Sequence, residues 1–259
     1  MKENCKKMEP QDLFDDIRRY LLQMKAKNLV YMSEGKLVAE QPVIMPPTVA
    51  AKKTVSEPEQ SVKVISPVQC SPMTDEIKAL IDEIASCKKC DLAKTRTQTV
   101  FGHGNTNADL VFIGEAPGAN EDRTGIPFCG AAGNLLNKEL ERNGITRAEV
   151  FIRNCLKCRP PENRDPLESE LILCEKYMLR QLQLINPKIL CVLGRFAASV
   201  LLKRSVPIMR ERGKWTDYNS LPLFICLHPA AVLHQPNNRK LFEVDIAALA
   251  QKYHSLKNA

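Results

Sequence analysis

The sequence predicts an α/β fold: a three-layer α/β/α sandwich around a mainly parallel four-stranded central sheet. Apolar runs typical of buried strands alternate along the chain with longer segments of helical periodicity. The strand segments are apolar at nearly every position, which is typical of parallel strands that helices cover on both faces. At 259 residues, 44% of them hydrophobic, the chain can form the core of one medium domain and an additional arm.

The alternation begins at residue 74 and continues to residue 259. In chain order the predicted elements are a helix in TDEIKALIDEIASC with Thr74 as N-cap, a strand in ADLVFIG, a helix in AAGNLLNKELERNG ended by Gly144, a strand in VFIRN, a helix in PLESELILCEKYMLRQLQLIN, a strand in KILCVLG, a helix in RFAASVLL, a strand in LPLFICL and a helix in NRKLFEVDIAALAQKYHSL. Ligand sites in such sheets lie at the carboxyl ends of the strands. We therefore expect three segments that follow strands, GEAPG, NCLKCRPPENR and HPAAVLHQP, to form one cleft.

Two further segments precede this domain. Residues 1–40 are expected to form an arm. The sequence predicts an amphipathic helix in it at about 12–26, with an apolar face of Leu13, Ile17, Tyr20, Leu21 and Met24. Residues 41–73 are rich in Pro, Ser and Lys and have no helical or strand period, as is typical of a flexible linker. We therefore divide the chain into an arm (1–40), a linker (41–73) and a domain (74–259).

The bulk composition excludes some classes of protein. No stretch reaches the roughly 18 apolar residues that a membrane span needs, and the first 16 residues lack the apolar core of a secretory signal. We therefore expect a cytoplasmic protein that does not enter a membrane. The formal charge of +7 favours a polyanionic partner only weakly. Aromatic residues make up 5% of the chain, which argues against an extended base-stacking platform.

In a reduced compartment and a chain of this length, the ten cysteines are better explained as metal ligands plus ordinary buried thiols than as a disulfide scaffold. Cys87 and Cys90 form a C-x2-C pair, and Cys158, followed by two prolines, pairs with Cys174. Four thiolates could hold either Zn²⁺ or an iron–sulfur cluster, and spacing does not separate the two. Cys155 is a rival ligand. The alternative is that the second pair consists of ordinary buried thiols, as we expect for Cys129, Cys191 and Cys226.

Three motifs together with these four cysteines resemble the family 4 uracil-DNA glycosylases, which contain iron and sulfur. The motifs are GEAPGANEDRTGIPFCGAAGNLL, NCLKCRPPENRDP and HPAAVL, in the same order over about residues 76–250. The resemblance implies a uracil-DNA glycosylase-like fold and a [4Fe–4S] cluster on Cys87, Cys90, Cys158 and Cys174. It also implies hydrolysis of the N-glycosidic bond of deoxyuridine in single- and double-stranded DNA, which releases uracil and leaves an abasic site for base excision repair.

The chemistry of that reaction matches the residue types in the motifs. Uracil departs as an anion, so the site must stabilise negative charge on the base and offer water to the sugar. His228 can donate to uracil O2, and the resemblance places Glu115 beside the catalytic water. The amide of Asn154 matches uracil O4 and N3–H, and Phe128 can stack on the base. The implied uracil-binding set is Ala116, Phe128, Asn154 and His228, with Gly118 and Glu121 as further pocket candidates.

Other residues are candidates for contact with DNA. Val232 or Leu233 could fill the space that the extruded nucleotide leaves, although either could equally be buried at a helix entry. Five arginines could contact phosphates: Arg159, Arg164, Arg195, Arg210 and Arg212. The arm could dock on a repair or replication partner, but no motif in it identifies one. We expect a monomer.

Each of these residues also has an ordinary structural explanation. A histidine before proline, or an asparagine at a strand end, commonly forms hydrogen bonds with backbone groups. Phe128 could belong to the hydrophobic core, and Glu115 could form a salt bridge with a basic side chain. A non-catalytic iron–sulfur module that binds DNA or a partner is therefore the main alternative. It does not need Glu115, Asn154, Phe128 and His228 together. A zinc hydrolase is less compatible, because four thiolates leave no open coordination position.

Overall fold

The computed structural model describes residues 74–257, and these form a six-stranded mixed sheet. The predicted arm and linker lie outside the described residues. In chain order the strands are β1 (His103–Gly104), β2 (Leu110–Gly114), β3 (Phe151–Asn154), β4 (Ile189–Leu193), β5 (Trp215–Tyr218) and β6 (Leu221–Cys226). Their order in the sheet is β1-β3-β2-β4-β6-β5.

Helices connect and cover these strands within residues 74–257. They are α1 (Asp75–Ala85), α2 (Leu92–Thr95), α3 (Ala119–Thr124), α4 (Ala131–Arg142), α5 (Glu168–Ile185), α6 (Gly194–Leu202), α7 (Ile208–Glu211), α8 (Pro229–His234) and α9 (Arg239–Lys257), with two 3₁₀ turns at Pro161–Asn163 and Pro236–Asn238. Thr74 caps α1 as predicted, since its hydroxyl oxygen accepts from the Ile77 amide at 3.3 Å.

The alternation of side chains along each strand divides the core into two layers. Leu110 and Phe112 of β2 face a layer that contains apolar residues of α4 and α9. Val111 and Ile113 face the opposite layer, which contains apolar residues of α5 and α6. Helices therefore cover both faces of the sheet, as the apolar runs predicted.

The predicted count of four strands is wrong, because the sheet has six. The four predicted strands are present and pair in parallel in the order β3-β2-β4-β6. The two additional strands pair antiparallel at the edges, β1 with β3 and β5 with β6. Short edge strands lack the apolar run of a central strand: β1 has two residues, and β5 alternates between exposed and half-buried positions.

Within residues 74–257, no helix is both long enough and apolar enough to cross a membrane.

Candidate active site at the carboxyl ends of the strands

The three motif segments begin at neighbouring strand ends. Gly114 is the last residue of β2 and is paired with Asn154, the last residue of β3. On the other side of β2, β4 ends at Leu193 beside Cys226, the last residue of β6. Glu115 and His228 come one and two residues after their strands. The parallel order thus brings the predicted segments to one edge, as expected for this class of sheet.

Gly114, Asn154 and Phe128 lie in direct contact. A Cβ atom on Gly114 would be 2.4 Å from Asn154 Oδ1 and 2.7 Å from Phe128 Cζ. Both distances are shorter than van der Waals contact, so a larger residue at this position would displace Asn154 or Phe128. The missing side chain allows the amide of Asn154 and the ring of Phe128 to line the same space at the end of β2.

Phe128 has an unusual backbone conformation, with a φ of +54° although it carries a side chain. Non-glycine residues rarely adopt positive φ, and such strain concentrates at functional sites. The side chain of Arg147 donates to the preceding carbonyl, Pro127 O, at 2.8 Å. Gly133 packs against the carbonyl of Phe128, where a Cβ would lie 1.6 Å from the oxygen. The turn before α4 is therefore fixed from both sides.

His228 faces Phe128 and has a defined orientation. The ring centroids are 5.5 Å apart, with 37° between the planes. His228 is the N-cap of α8, and its Nδ1 accepts from the Ala230 amide at 3.2 Å. Because Nδ1 is the acceptor, Nε2 carries the proton and is available as a donor. Desolvation lowers the pKa of His228 to about 4, so the ring is neutral at physiological pH.

Glu115 is half-buried after β2. Desolvation, with a contribution from the nearby negative charge of Asp165, raises the pKa of Glu115 to about 7, and the positive charge of Arg195 opposes this rise. Asp165 and Arg195 also pair with each other at 3.1 Å. Glu115 is therefore near its titration midpoint at neutral pH, as is typical of a carboxylate that exchanges protons with substrate or water.

The remaining pocket candidates lie along the loop after β2. Glu121 Oε2 accepts from the Gly118 amide at 3.1 Å, so this carboxylate satisfies the first turn of α3. Ala116 packs against the apolar cluster that contains Leu156 and Cys158. The loop that carries Glu115 thus lies between the candidate pocket and the cysteine-rich region.

The two wedge candidates differ in burial. Val232 is 2% exposed and belongs to the core layer with α4 and α9, whereas Leu233 is 46% exposed. A wedge must reach DNA without unfolding the protein, so the structure removes Val232 from consideration and leaves Leu233.

The arginine candidates for phosphate contact differ in whether their guanidinium groups already pair with a buried carboxylate. Arg164 pairs with the buried carboxylate of Glu170, and Arg212 pairs with the buried Asp245, so both guanidinium groups have structural partners. Arg195 and Arg210 are exposed. Arg159 donates to the side chain of Asn163 at 2.8 Å.

All four predicted cysteine ligands line one cavity. Cys87, Cys90, Cys158 and Cys174 share it with Arg96, whose Nη1 donates to Cys158 Sγ at 3.1 Å. N–H groups directed at sulfur are typical of metal-bound thiolates. Within residues 74–257, no three His, Cys, Asp or Glu side chains are arranged to hold a single metal ion.

Cys155, the rival ligand, is not part of that cavity. It is buried in the core layer with Val111 and Ile113. Cys191 and Cys226 are buried within the sheet, as expected for ordinary thiols, whereas Cys129 is only half-buried.

Comparison with known proteins identifies the family of this chain. Residues 101–250 match the family model of the uracil-DNA glycosylase superfamily. A type-4 uracil-DNA glycosylase of Archaeoglobus fulgidus is 42% identical over 185 residues, which are 68% of this chain and 93% of that protein. One from Saccharolobus solfataricus is 43% identical over 197 residues, 71% of this chain and 91% of that protein. The chain belongs to the type-4 uracil-DNA glycosylases.

Thermotoga maritima has a further type-4 uracil-DNA glycosylase, which is 38% identical over 170 residues, 63% of this chain and 87% of that protein. The family resemblance inferred from three motifs and four cysteines is thus confirmed.

Sequence reasoning missed several residues that shape this type-4 site. Asp165 lies within the motif NCLKCRPPENRDP but was given no role, Arg147 lies outside the three motifs, and Arg195 was considered only as a phosphate contact. Gly194, which has a φ of +88°, was missed although it is the last residue of the predicted strand KILCVLG. A Cβ there would lie 2.9 Å from His228 Cβ, so a glycine at that strand end could have been recognised as a point of close approach.

Proposed function

We propose that this type-4 uracil-DNA glycosylase excises uracil from single- and double-stranded DNA, by hydrolysis at the pocket formed by Glu115, Phe128, Asn154 and His228. The observation that carries the proposal is the meeting of Gly114, Asn154, Phe128 and His228 at one edge of the sheet. A module that only binds DNA does not need a glycine that opens space beside an amide and an aromatic ring.

In this proposal His228 and Asn154 contact the uracil base. When the N1–C1′ bond breaks, its electron pair remains on uracil, and negative charge develops at O2. The neutral imidazole of His228 donates from Nε2 to that oxygen and keeps its own proton. A donor whose pKa is about 4 in the free protein stays in one protonation state over the physiological range.

The sugar side falls to Glu115. As a carboxylate it stabilises positive charge on the deoxyribose and orients water toward C1′. The water oxygen forms the new bond to C1′, and one water proton passes to the carboxylate. The departing uracil anion takes up one proton from solvent, and Glu115 returns its proton to solvent, so that the products are free uracil and an abasic deoxyribose and the carboxylate is restored.

Recognition of uracil rests on Asn154 and Phe128. The Asn154 side chain can donate to O4 and accept from N3–H, whereas cytosine presents the opposite pattern at these two positions. Phe128 supplies a stacking surface. Unstacking the nucleotide costs a few kcal/mol, which contacts in the pocket offset, and Leu233 fills the space left in the duplex.

The cofactor that we propose is a [4Fe–4S] cluster on Cys87, Cys90, Cys158 and Cys174. All four cysteines line one cavity, and four thiolates are the ligand set of such a cluster. When bound, the cluster supplies metal–thiolate bonds that join the segment after α1, the segment after β3 and helix α5. Its role in this proposal is structural.

The test is incubation of the purified protein with single-stranded and duplex oligonucleotides that carry one uracil, followed by alkali. We expect a strand break at the uracil position with both substrates. Glu115→Gln should lower the excision rate by at least about 100-fold, as is typical for loss of a catalytic acid–base group. Glu141→Gln on the exposed face of α4 is the matched control and should retain the rate.

Tight binding of uracil-containing DNA by the folded protein without any strand break would contradict the enzyme proposal and support the non-catalytic module.

A further inference from the structure

Two cations lie inside the domain, next to the cysteine region. Arg153 on β3 is 0% exposed, and Lys157, four residues later, is 2% exposed. Lysine and arginine are almost never fully buried unless an anion accompanies them, because removing a charge from water costs several kcal/mol. Their presence therefore needs a physical explanation.

The hydrogen-bond partners of both cations are neutral. Arg153 donates to the carbonyls of Asn154 and Met178, at 2.8 Å and 3.1 Å. Lys157 Nζ donates to the carbonyls of Phe101 and Asn154, at 3.1 Å and 3.0 Å. Neither forms an ion pair with any carboxylate of residues 74–257. The carbonyls satisfy the N–H groups but leave both positive charges uncompensated.

Most acidic neighbours of these cations are thiols. Lys157 lines the cavity that Cys87, Cys90, Cys158 and Cys174 share. Cys155, Cys158 and Cys174 act electrostatically on Lys157, and Cys155, Cys174 and the phenol of Tyr218 act on Arg153. The backbone N–H of Lys157 donates to the sulfur of Cys174. As neutral thiols, these groups offer no charge to balance the cations.

Metal binding changes that balance. Four thiolates around an oxidised iron–sulfur centre, like four thiolates around Zn²⁺, carry a net double negative charge. Two buried cations match this charge in number and in place. We propose that Arg153 and Lys157 are the internal counter-cations of the cysteine centre, an inference that rests on the cofactor proposed above.

The same two side chains also bind the carbonyl of Asn154, which receives Arg153 Nη2 at 2.8 Å and Lys157 Nζ at 3.0 Å. The charges that balance the cysteine centre therefore also hold the backbone of the residue proposed to recognise uracil. Both cations act as positioning residues, since neither is placed against substrate.

The test compares loaded and metal-free protein for Lys157→Met, a substitution of similar volume that removes the charge. In the loaded form the variant loses a counter-cation, so we expect less retained iron and a Tm at least about 5 °C below that of the wild type. In the metal-free form it loses an uncompensated buried charge, so its Tm should equal or exceed that of metal-free wild type. Lys138→Met, an exposed lysine of α4, should change neither form.

A loss of stability of similar size in both forms of Lys157→Met, or failure of the metal-free variant to fold, would overturn the counter-cation role and leave a simple carbonyl tether. Arg153→Met provides the same comparison for the second cation. Wild-type protein that contains no metal would refute the cofactor proposal itself, and that result is separate from the sign of the stability change.

Discussion

Two ionisable side chains of the proposed pocket have shifted pKa values: the pKa of Glu115 is raised and that of His228 is lowered. Desolvation favours the neutral form of both, which raises the pKa of Glu115 to about 7 and lowers that of His228 to about 4. The histidine is therefore a constant donor across neutral pH, whereas the glutamate changes its protonation state there. One physical cause gives the two residues the different behaviour that their proposed tasks require.

The pH dependence of excision tests this assignment. Only the carboxylate form of Glu115 can take a proton from water, so kcat/KM should fall about tenfold per pH unit below about pH 7. Arg195 lowers the pKa of Glu115 and Asp165 raises it. Arg195→Gln should therefore move the acidic limb to higher pH, and Asp165→Asn should move it to lower pH. A limb near pH 4 that neither variant moves would assign the titration to His228 instead.

At the scale of elements, the turn between α3 and α4 decides where Phe128 lies. Phe128 has positive φ, its own carbonyl packs against Gly133, and Arg147 binds the carbonyl before it. The residue patterns that predict helices and strands do not predict any of these contacts. The strain at Phe128 persists because the start of α4 and the side chain of Arg147 fix the backbone on either side.

Gly133→Ala tests that dependence. The new Cβ would lie 1.6 Å from the carbonyl oxygen of Phe128, so either the turn or α4 must move. We expect the free energy of unfolding to decrease by about 1 to 3 kcal/mol. The excision rate should fall about 10-fold or more, because the stacking ring of Phe128 is displaced. Gly130→Ala is the control: its Cβ would meet Asn120 Nδ2 at 3.2 Å, and that side chain can rotate away. Thermal unfolding and excision rates of both variants decide the matter.

At the scale of the whole molecule, the four cysteines connect segments that are distant in sequence. Cys87 and Cys90 lie between α1 and α2, Cys158 lies after β3, and Cys174 lies in α5. Metal–thiolate bonds at this point would hold the outer helices to the segment that follows Asn154. The proposed centre is thus expected to matter for folding more than for the chemical step.

Cys158→Ala should therefore lower solubility and reduce Tm by at least about 5 °C, with loss of the absorbance near 400 nm that distinguishes iron–sulfur from zinc. Its remaining folded fraction should excise uracil at a rate closer to that of the wild type than Glu115→Gln does. Cys191→Ala removes an equally buried thiol from the sheet and should keep the absorbance. A stable Cys158→Ala protein with failed chemistry would contradict a structural role for the cluster.

The sequence by itself determined the four central strands and the family, and it supplied the candidate site residues. Continuous apolar runs such as LVFIG are buried on both faces in any arrangement, and parallel strands bring their carboxyl ends to one edge, so Asn154 and His228 could be assigned to one cleft. The family resemblance depended on motif order, which is also a property of sequence.

Only the tertiary structure decided how each of those residues is placed. The edge strands β1 and β5 exist through pairing with β3 and β6, and such short segments carry little pattern of their own. Val232 and Leu233 are neighbours of similar character, yet one is core and the other exposed. Burial, protonation state and the position of the two internal cations depend on neighbours from distant parts of the chain, because desolvation and Coulomb energy follow distance in space and not separation in sequence.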